Sequence, residues 1–394
     1  MEGPLHGIRV VDLTRIIAGP FCTALLADMG AEVVKVEPRD GGDPLRSQGT
    51  LKDGLSWYFA SFNRNKKSLT LDLYTDEGKA VLAELVRRSD VVVENYRAGV
   101  IERMGFGLER LRELKPEIIL CSINGYGSSG PYVDRPAFDF IAQAMSGFMS
   151  VTGEREGAPV RAANPISDLV AGLYAAFGVV CALHARERGG GGQRVEATLM
   201  GSMVSLLAYL LADHLATGEV PTRTGNDHPV AAPYGLFQAA DKPVAIAPAT
   251  ERYLAKLLEV LELQPLAEHP QFWNRDWRRA NRAALNAAIT ERIRTRTRDE
   301  WVEILNRAGV PAGPVQDVAE VAADPQVADQ EWIVEIDHPG YGPVRMSGPA
   351  LKLSSTPAAV RAPAPRLGEH AEEILAGLGY DEAAIARLRA AGIV

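Results

Sequence analysis

The chain of 394 residues carries 42 Lys+Arg against 50 Asp+Glu, a formal net charge of −8, with 46% hydrophobic and 23% charged residues. That balance suits a folded globular protein and argues against wholesale disorder, and its modest acidic excess argues against nucleic acid or a membrane surface as partner. At about 150 residues per domain the length allows two or three domains.

The first 120 residues alternate strand and helix signals. Ile8–Leu13 reads as a strand, Pro20–Asp28 as a helix with Pro in its first turn, and Ala31–Glu37 as the next strand after the stop at Gly30. Ser68–Leu73, a helix over Asp76–Arg88, Asp90–Glu94 and Ile118–Ser122 continue the pattern. Short Val/Ile-rich strands separated by helices predict a mainly parallel, doubly wound α/β sheet. The apolar run Leu169–Leu183 is fifteen residues, short of the roughly 20 that span a bilayer, and predicts a buried core helix. After the Gly189–Gly192 quartet come a strand, Gln193–Ala197, and a long helix, Thr198–Thr217. Residues 1–217 therefore read as the first part of a large domain, and 218–233, rich in Gly, Pro, Asn and His, as a linker. A hairpin over Tyr234–Ala247 and helices near Glu251–Leu263, Ala280–Arg294 and Asp299–Ala308 predict a small α+β domain over 234–316. A linker at 317–345 leads to 346–394, which returns to the large domain and ends in two short helices.

Seven arginines between 278 and 298 invite a nucleic-acid reading. Leu285, Ile289 and Ile293 recur there at helical spacing, so the arginines read as the wet face of an amphipathic helix. Cys22, Cys121 and Cys181 are far apart, with no CxxC pair, which disfavours a disulfide framework or structural zinc and predicts buried small hydrophobes. The N-terminus shows no basic region leading into an apolar one, so a cytoplasmic protein is expected, with no membrane or nucleic-acid partner.

Gly125-Tyr126-Gly127-Ser128-Ser129-Gly130 matches the dinucleotide fingerprint, but Pro131 and Pro136 stand where that fingerprint needs a helix. The segment reads as a glycine loop that brings backbone near a ligand or a neighbouring chain. The seven histidines are scattered without ligand spacing, so no metal site is expected, and with neither a GxSxG elbow nor a P-loop lysine a classical serine hydrolase, a zinc hydrolase and a P-loop NTPase are all disfavoured. Ser167-Asp168, opening the apolar helix, has two readings. Ser167 is a natural N-cap, and Asp168 then simply complements the helix dipole at the surface. Alternatively the helix start is buried, and Asp168 is a lightly solvated carboxylate kept ionised by free N–H groups, as suits a nucleophile.

The ordered run of short motifs resembles the family III CoA-transferases, the formyl-CoA and carnitine CoA-transferase group. It comprises Gly7–Thr14, Ala18-Gly19-Pro20, Leu26–Glu37, Gly42-Asp43-Pro44 with Arg46, Asn63–Ser68, Val93–Arg97, Arg103-Met104-Gly105, Gly125–Gly127 and Asp168 with Gly172. The resemblance implies a Rossmann-like large domain plus a smaller α+β domain, with two chains interlocked as rings in a homodimer. It implies Asp168 as nucleophile and coenzyme A, as acyl-CoA substrate and not as a permanently bound cofactor, held by Ile16, Ile17, Ala18, Leu71, Asn95, Tyr96, Arg97 and Arg103. Arg39 is a further CoA candidate, and Arg46, Phe138, Asn226 and His228 are substrate candidates. The implied reaction moves CoA from an acyl-CoA, with succinyl-CoA as the expected donor, to a small carboxylic or dicarboxylic acid through aspartyl anhydride and aspartyl-CoA thioester intermediates. Ile17 replaces the glutamine of the formyl-CoA branch, and Gly225–Pro229 lacks that branch's glycine-rich lid, which disfavours oxalate as acceptor. The α-methylacyl-CoA racemase branch is the runner-up, but Phe138-Asp139 stands where its His-Asp pair would fall. A dinucleotide-dependent oxidoreductase rests on the glycine fingerprint alone.

Overall fold

Six short strands, most of them rich in β-branched residues, build the central sheet: β1 (Arg9–Asp12), β2 (Glu32–Glu37), β3 (Lys66–Thr70), β4 (Val91–Glu94), β5 (Ile119–Asn124) and β6 (Arg194–Thr198). In the computed structural model, which describes residues 2–394, every pairing in this sheet is parallel. The spatial order is β3-β2-β1-β4-β5-β6. Successive side chains leave opposite faces of a strand, so each strand serves two cores. Val10, Val33, Val91, Val93, Ile119 and Cys121 face α1 (Ala18–Asp28) and α3 (Ile166–Ala185). Val11, Val34, Val92 and Leu120 face helices Asp76–Arg87 and Ala371–Leu378. The strand order reverses at β1, with β2 on one side and β4 on the other. In such sheets the carboxyl ends of the two strands at the reversal diverge and leave a crevice.

The helix α3 lies directly on α1. Gly172 makes this possible: a Cβ there would stand 2.6 Å from the Ala18 carbonyl oxygen and 3.3 Å from the Cys22 nitrogen. The buried face of α3 is small (Ala171, Gly172, Ala175, Ala176, Val179), while Leu173, Tyr174, Phe177 and Val180 form an exposed apolar row. The sequence reading expects a helix covered all round; in this chain only one side is covered. Cys181 lies on the open side and is exposed, unlike the buried Cys22 and Cys121, which corrects the expectation for that cysteine.

By contact density the chain divides into two units, one comprising residues up to Phe148, Arg161–Gly218 and Gln326–Val394, the other Met149–Val160 and Glu219–Pro325. The stretches 219–233 and 317–325, read from sequence as linkers, belong to the second unit, and two further segments are placed differently from the sequence reading. Residues 149–160 join the second unit because Arg223 donates to the carbonyls of Ser150, Glu154 and Gly157. Residues 326–345 join the first because the hairpin formed by β10 (Ile333–His338) and β11 (Gly342–Ser347) packs Val344 and Met346 against Phe59 and Leu45. The long helix expected over Thr198–Thr217 is two helices, Leu199–Ser205 and Ala208–Thr217, bent by 73° with Ala208 at φ 47°.

The second unit holds an antiparallel sheet of β7 (Gly235–Gln238), β8 (Pro243–Ile246) and β9 (Ala312–Pro314), with β8 central. Helices Glu251–Val260, Arg282–Ile293 and Arg298–Arg307 supply Leu257, Ile289, Ile293 and Trp301 to its core. Leu285, Ile289 and Ile293 are buried as their spacing requires. Two of the seven arginines are buried as well: Arg278 donates to the Ala232 and Phe272 carbonyls, and Arg298 pairs with Glu320 and Asp299.

Candidate active site

Beneath the crevice lies a buried lattice of charges. Asp12, the last residue of β1, accepts from Thr14 N–H (2.9 Å), Thr23 Oγ1 (2.7 Å) and Lys66 Nζ (3.0 Å). Lys35 of β2 pairs with Asp43 at 3.0 Å and donates to the Thr14 carbonyl at 2.8 Å. Burial acts to raise the Asp12 carboxyl, but the ammonium groups of Lys66 and Lys35 bring it down to about 2. Burial likewise lowers the Lys66 ammonium to about 8, against the pull of Asp12. Every member has a partner, which is the condition under which buried charge is tolerated.

This lattice shapes the loop between β1 and α1. Asn95, following β4, accepts from the Arg15 N–H at 2.9 Å and donates to the Arg15 carbonyl at 2.7 Å. The Asp43 carboxylate accepts from the Ile16 N–H at 3.2 Å. Ile16 sits at φ 69°, a left-handed conformation that a β-branched residue adopts only under constraint. Ile17 and Ala18 then lead into α1, whose first-turn N–H groups have no intrahelical acceptor.

A cavity of about 190 Å³ opens at the carboxyl ends of β1, β4, β5 and β6. It is lined by Arg15–Ala18, Asn95–Ala98, Ile123–Gly127, Arg135–Phe138 and Asp168, among others. Ile16, Ile17, Ala18, Asn95, Tyr96, Arg97, Phe138 and Asp168 are thus brought together. The glycine segment 125–127 joins them as cavity wall, without the helix that a dinucleotide turn would need. The other candidates lie elsewhere. Leu71 is buried in the core, with its N–H on the Glu37 carbonyl. Arg39 donates to the Gly392 carbonyl, and Arg103 is exposed at the end of the turn Val100–Arg103, outside the cavity wall. Arg46 grips Glu37 through two bonds of 2.7 Å and lies over the Phe59 ring. Asn226 and His228 belong to the second unit, where His228 stacks obliquely on Tyr234.

Asp168 is half-buried in the first turn of α3 and makes no hydrogen bond or ion pair among the described residues. The expected cap is absent: α3 begins at Ile166, after Pro165, and Ser167 lies inside the helix. Its N–H and hydroxyl both donate to the Asp139 carboxylate, each at 2.8 Å, and Gln143 Nε2 donates to the other Asp139 oxygen at 2.7 Å. Asp139 opens α2 (Asp139–Met145) and is buried. The carboxylate held at this helix start is therefore Asp139, which corrects the expectation that free N–H groups keep Asp168 ionised. Burial and the Asp139 charge instead push the Asp168 carboxyl up to about 7. The Tyr58 hydroxyl is raised by burial and by the charges of Asp168 and Asp139. Glu94, behind the cavity wall, is pushed by burial to about 7 while accepting the Tyr96 N–H at 2.8 Å.

Sequence reasoning missed Arg15 and Arg135, which line the cavity with Arg97. Among the described residues none of the three pairs with a carboxylate; Arg15 leans over Tyr96 at 5.9 Å and Arg135 over Tyr132 at 3.9 Å. Tyr58 and Asp139 were also missed as site residues, and the only signal for Asp139 was its place beside Phe138.

Residues 5–371 match the family model for CoA-transferase family III. The chain is 40% identical to a succinyl-CoA:mesaconate CoA-transferase of Haloarcula marismortui, over 96% of this chain and 97% of the relative. It is 38% identical to an acetyl-CoA:oxalate CoA-transferase of Acetobacter aceti, over 90% of each. Among solved structures it is similar to a CAIB/BAIF family protein from Brucella suis, with TM-score 0.86 and 36% identity over 96% of this chain and 100% of that one. The chain belongs to CoA-transferase family III, enzymes that move CoA from an acyl-CoA to a free carboxylic acid.

Proposed function

We propose that Asp168 is the covalent carrier of this CoA transfer, and that the cavity at the strand-order reversal receives the reacting end of the acyl-CoA. The carrying observation is Asp168 itself, an unpartnered carboxylate raised to about 7, set among three guanidiniums without carboxylate partners. A carboxylate so poorly stabilised is a better nucleophile than a solvated one. Guanidinium forks suit the phosphates of CoA and the carboxylates of an acid acceptor. No histidine lines this cavity, so the proton shuttle of the racemase branch has no counterpart among its walls.

The reaction runs in four displacements. An Asp168 oxygen attacks the donor thioester carbonyl, and the C–S bond breaks to release CoA thiolate and leave a mixed anhydride. The thiolate attacks the Asp168 carbonyl carbon, freeing the donor acid as its carboxylate and leaving an aspartyl-CoA thioester. The acceptor carboxylate displaces the thiolate, forming a second anhydride. The thiolate then attacks the acceptor acyl carbon and restores the Asp168 carboxylate. Each step passes through an oxyanion, and the first-turn N–H groups of α1, which open on the cavity at Ala18, supply donors for it.

The relatives named for mesaconate and oxalate support a dicarboxylate acceptor, and the former supports succinyl-CoA as donor. The doubly wound sheet supports the Rossmann-like reading, and the open row Leu173, Tyr174, Phe177 and Val180 supports a second copy of the chain as its cover, in a cytoplasmic homodimer. The test is intact mass after incubation with a panel of acyl-CoAs. The expected product is the protein plus CoA less one water, absent in Asp168→Ala; turnover by that variant, or no adduct with any thioester, refutes the proposal. Acceptor acids, oxalate and mesaconate included, are ranked by their discharge of that adduct.

A further inference from the structure

We propose that Asn95 serves this reaction as a positioning residue, acting through the backbone of the β1–α1 loop to hold Ile16 in its left-handed conformation. This rests on the reading of the cavity as the acyl-CoA site. Both ends of the Asn95 amide are engaged by one residue: Oδ1 accepts the Arg15 N–H at 2.9 Å and Nδ2 donates to the Arg15 carbonyl at 2.7 Å. The amide thus bridges the two peptide units that flank Arg15 and fixes how they lie relative to each other. The next residue, Ile16, is the one at φ 69°. The peptide unit between Arg15 and Ile16 is held at both edges, its carbonyl by Asn95 and its Ile16 N–H by Asp43, at 3.2 Å to each carboxylate oxygen, with Asp43 anchored by Lys35 at 3.0 Å. Upstream, Lys35 Nζ takes the Thr14 carbonyl at 2.8 Å. Three consecutive residues, Thr14, Arg15 and Ile16, are thus gripped from outside the loop, and Ile16 is the one that the grip holds at positive φ.

The shape has a use. With Ile16 left-handed, Arg15 lines the cavity while Ile17 and Ala18 turn into α1, so that its first turn opens on the same space as Asp168. If Ile16 relaxed to an ordinary φ, the residues on either side of it would be reoriented. Asn95 stands at the carboxyl end of β4 and Arg15 just after β1, so the clamp crosses the point where the strand order reverses.

The test is a double-mutant cycle on the rate of aspartyl-CoA formation, with substitutions Asn95→Ala and Ile16→Gly. Holding a β-branched residue in this conformation is worth about 5- to 150-fold in population, so Asn95→Ala is expected to lower kcat/KM within that range when Ile16 is present. Glycine has no such preference, so in the Ile16→Gly background the same change should cost less than about threefold. Ile16→Asn gives a second background, since asparagine tolerates the left-handed region better than isoleucine does, and it is expected to fall between the two. An equal loss from Asn95→Ala in all three backgrounds overturns the proposal, because Asn95 would then act on the ligand directly. No adduct in the wild-type protein overturns instead the assignment of the site.

Discussion

A carboxylate that is costly to ionise in the folded protein should make its removal stabilising, and Asp168→Asn tests this. The native carboxyl titrates near 7 against an ordinary value of 3.8. Below pH 3.8 the group is neutral in both folded and unfolded chains, and the substitution is nearly silent. As pH rises, the unfolded chain ionises first, so the wild-type protein loses stability until its own carboxyl ionises near 7, and the loss then levels off. At 1.36 kcal/mol per pH unit the gap between variant and wild type reaches about 2 kcal/mol at pH 5.5 and about 4 kcal/mol at pH 8.5. Asp168 is only half-buried, so roughly half of each figure is the expected gap. Thermal melts of both proteins at the two pH values give the result. The asparagine variant should melt higher by a few degrees at pH 8.5, with a smaller margin at pH 5.5. A variant that melts lower than wild type, or a margin independent of pH, would show that Asp168 is adequately solvated or paired and would remove the physical basis for its reactivity.

Two further substitutions probe the groups around it. Asp139→Asn removes the neighbouring charge while leaving an oxygen for the Ser167 N–H, so the midpoint of the pH profile for adduct formation should fall below that of wild type; an unmoved midpoint would assign the shift to burial alone. Lys66→Met strips Asp12 of its 3.0 Å partner in a fully buried setting and should cost about 3 kcal/mol or more, read as a lower melting temperature; an unchanged melt would mean that Lys35, Thr14 and Thr23 suffice to hold that charge.

The frame of this protein was legible because it obeys short-range rules. Val10 and Val11, or Val33 and Val34, are adjacent apolar residues bound for opposite faces, and a strand of such pairs belongs in a sheet covered on both sides. Strand β3 came out displaced, at Lys66–Thr70 and not Ser68–Leu73, because Lys66 looks like a surface residue until Asp12 is known to lie across from it. The break at Ala208 and the bareness of Phe177 were invisible for a related reason: an apolar helix reads alike whether it is covered on one side or all round. At the site, Ile16 to Ala18 and Asn95 to Arg97 entered through the family resemblance, and the fold gathers them at strand ends around one cavity. The sequence could not yield Asp139 or Tyr58, whose bearing on Asp168 is set by tertiary packing.

The relation between Asp139 and Asp168 explains why one helix start can satisfy one carboxylate and leave another without donors. A helix N-terminus offers a few N–H donors and a partial positive charge, and either aspartate could have claimed them. Asp139 does so from a neighbouring element: it takes the Ser167 N–H and hydroxyl on one oxygen and the Gln143 amide on the other, and its burial makes those bonds strong. Asp168, one residue further along α3, is left with the desolvation and without the donors. The pinned charge then raises the free one further, since two carboxylates close together resist ionising together. One carboxylate is locked into the scaffold by three hydrogen bonds, and the other has burial without donors. In this chain the lock joins α2 to the start of α3, with Gln143 also accepting the Ala162 N–H at 2.8 Å, and takes no residue from β1 or β4. A substitution at Asp139, Ser167 or Gln143 should therefore alter the reactivity of Asp168 while leaving the cavity wall supplied by β1 and β4 in place.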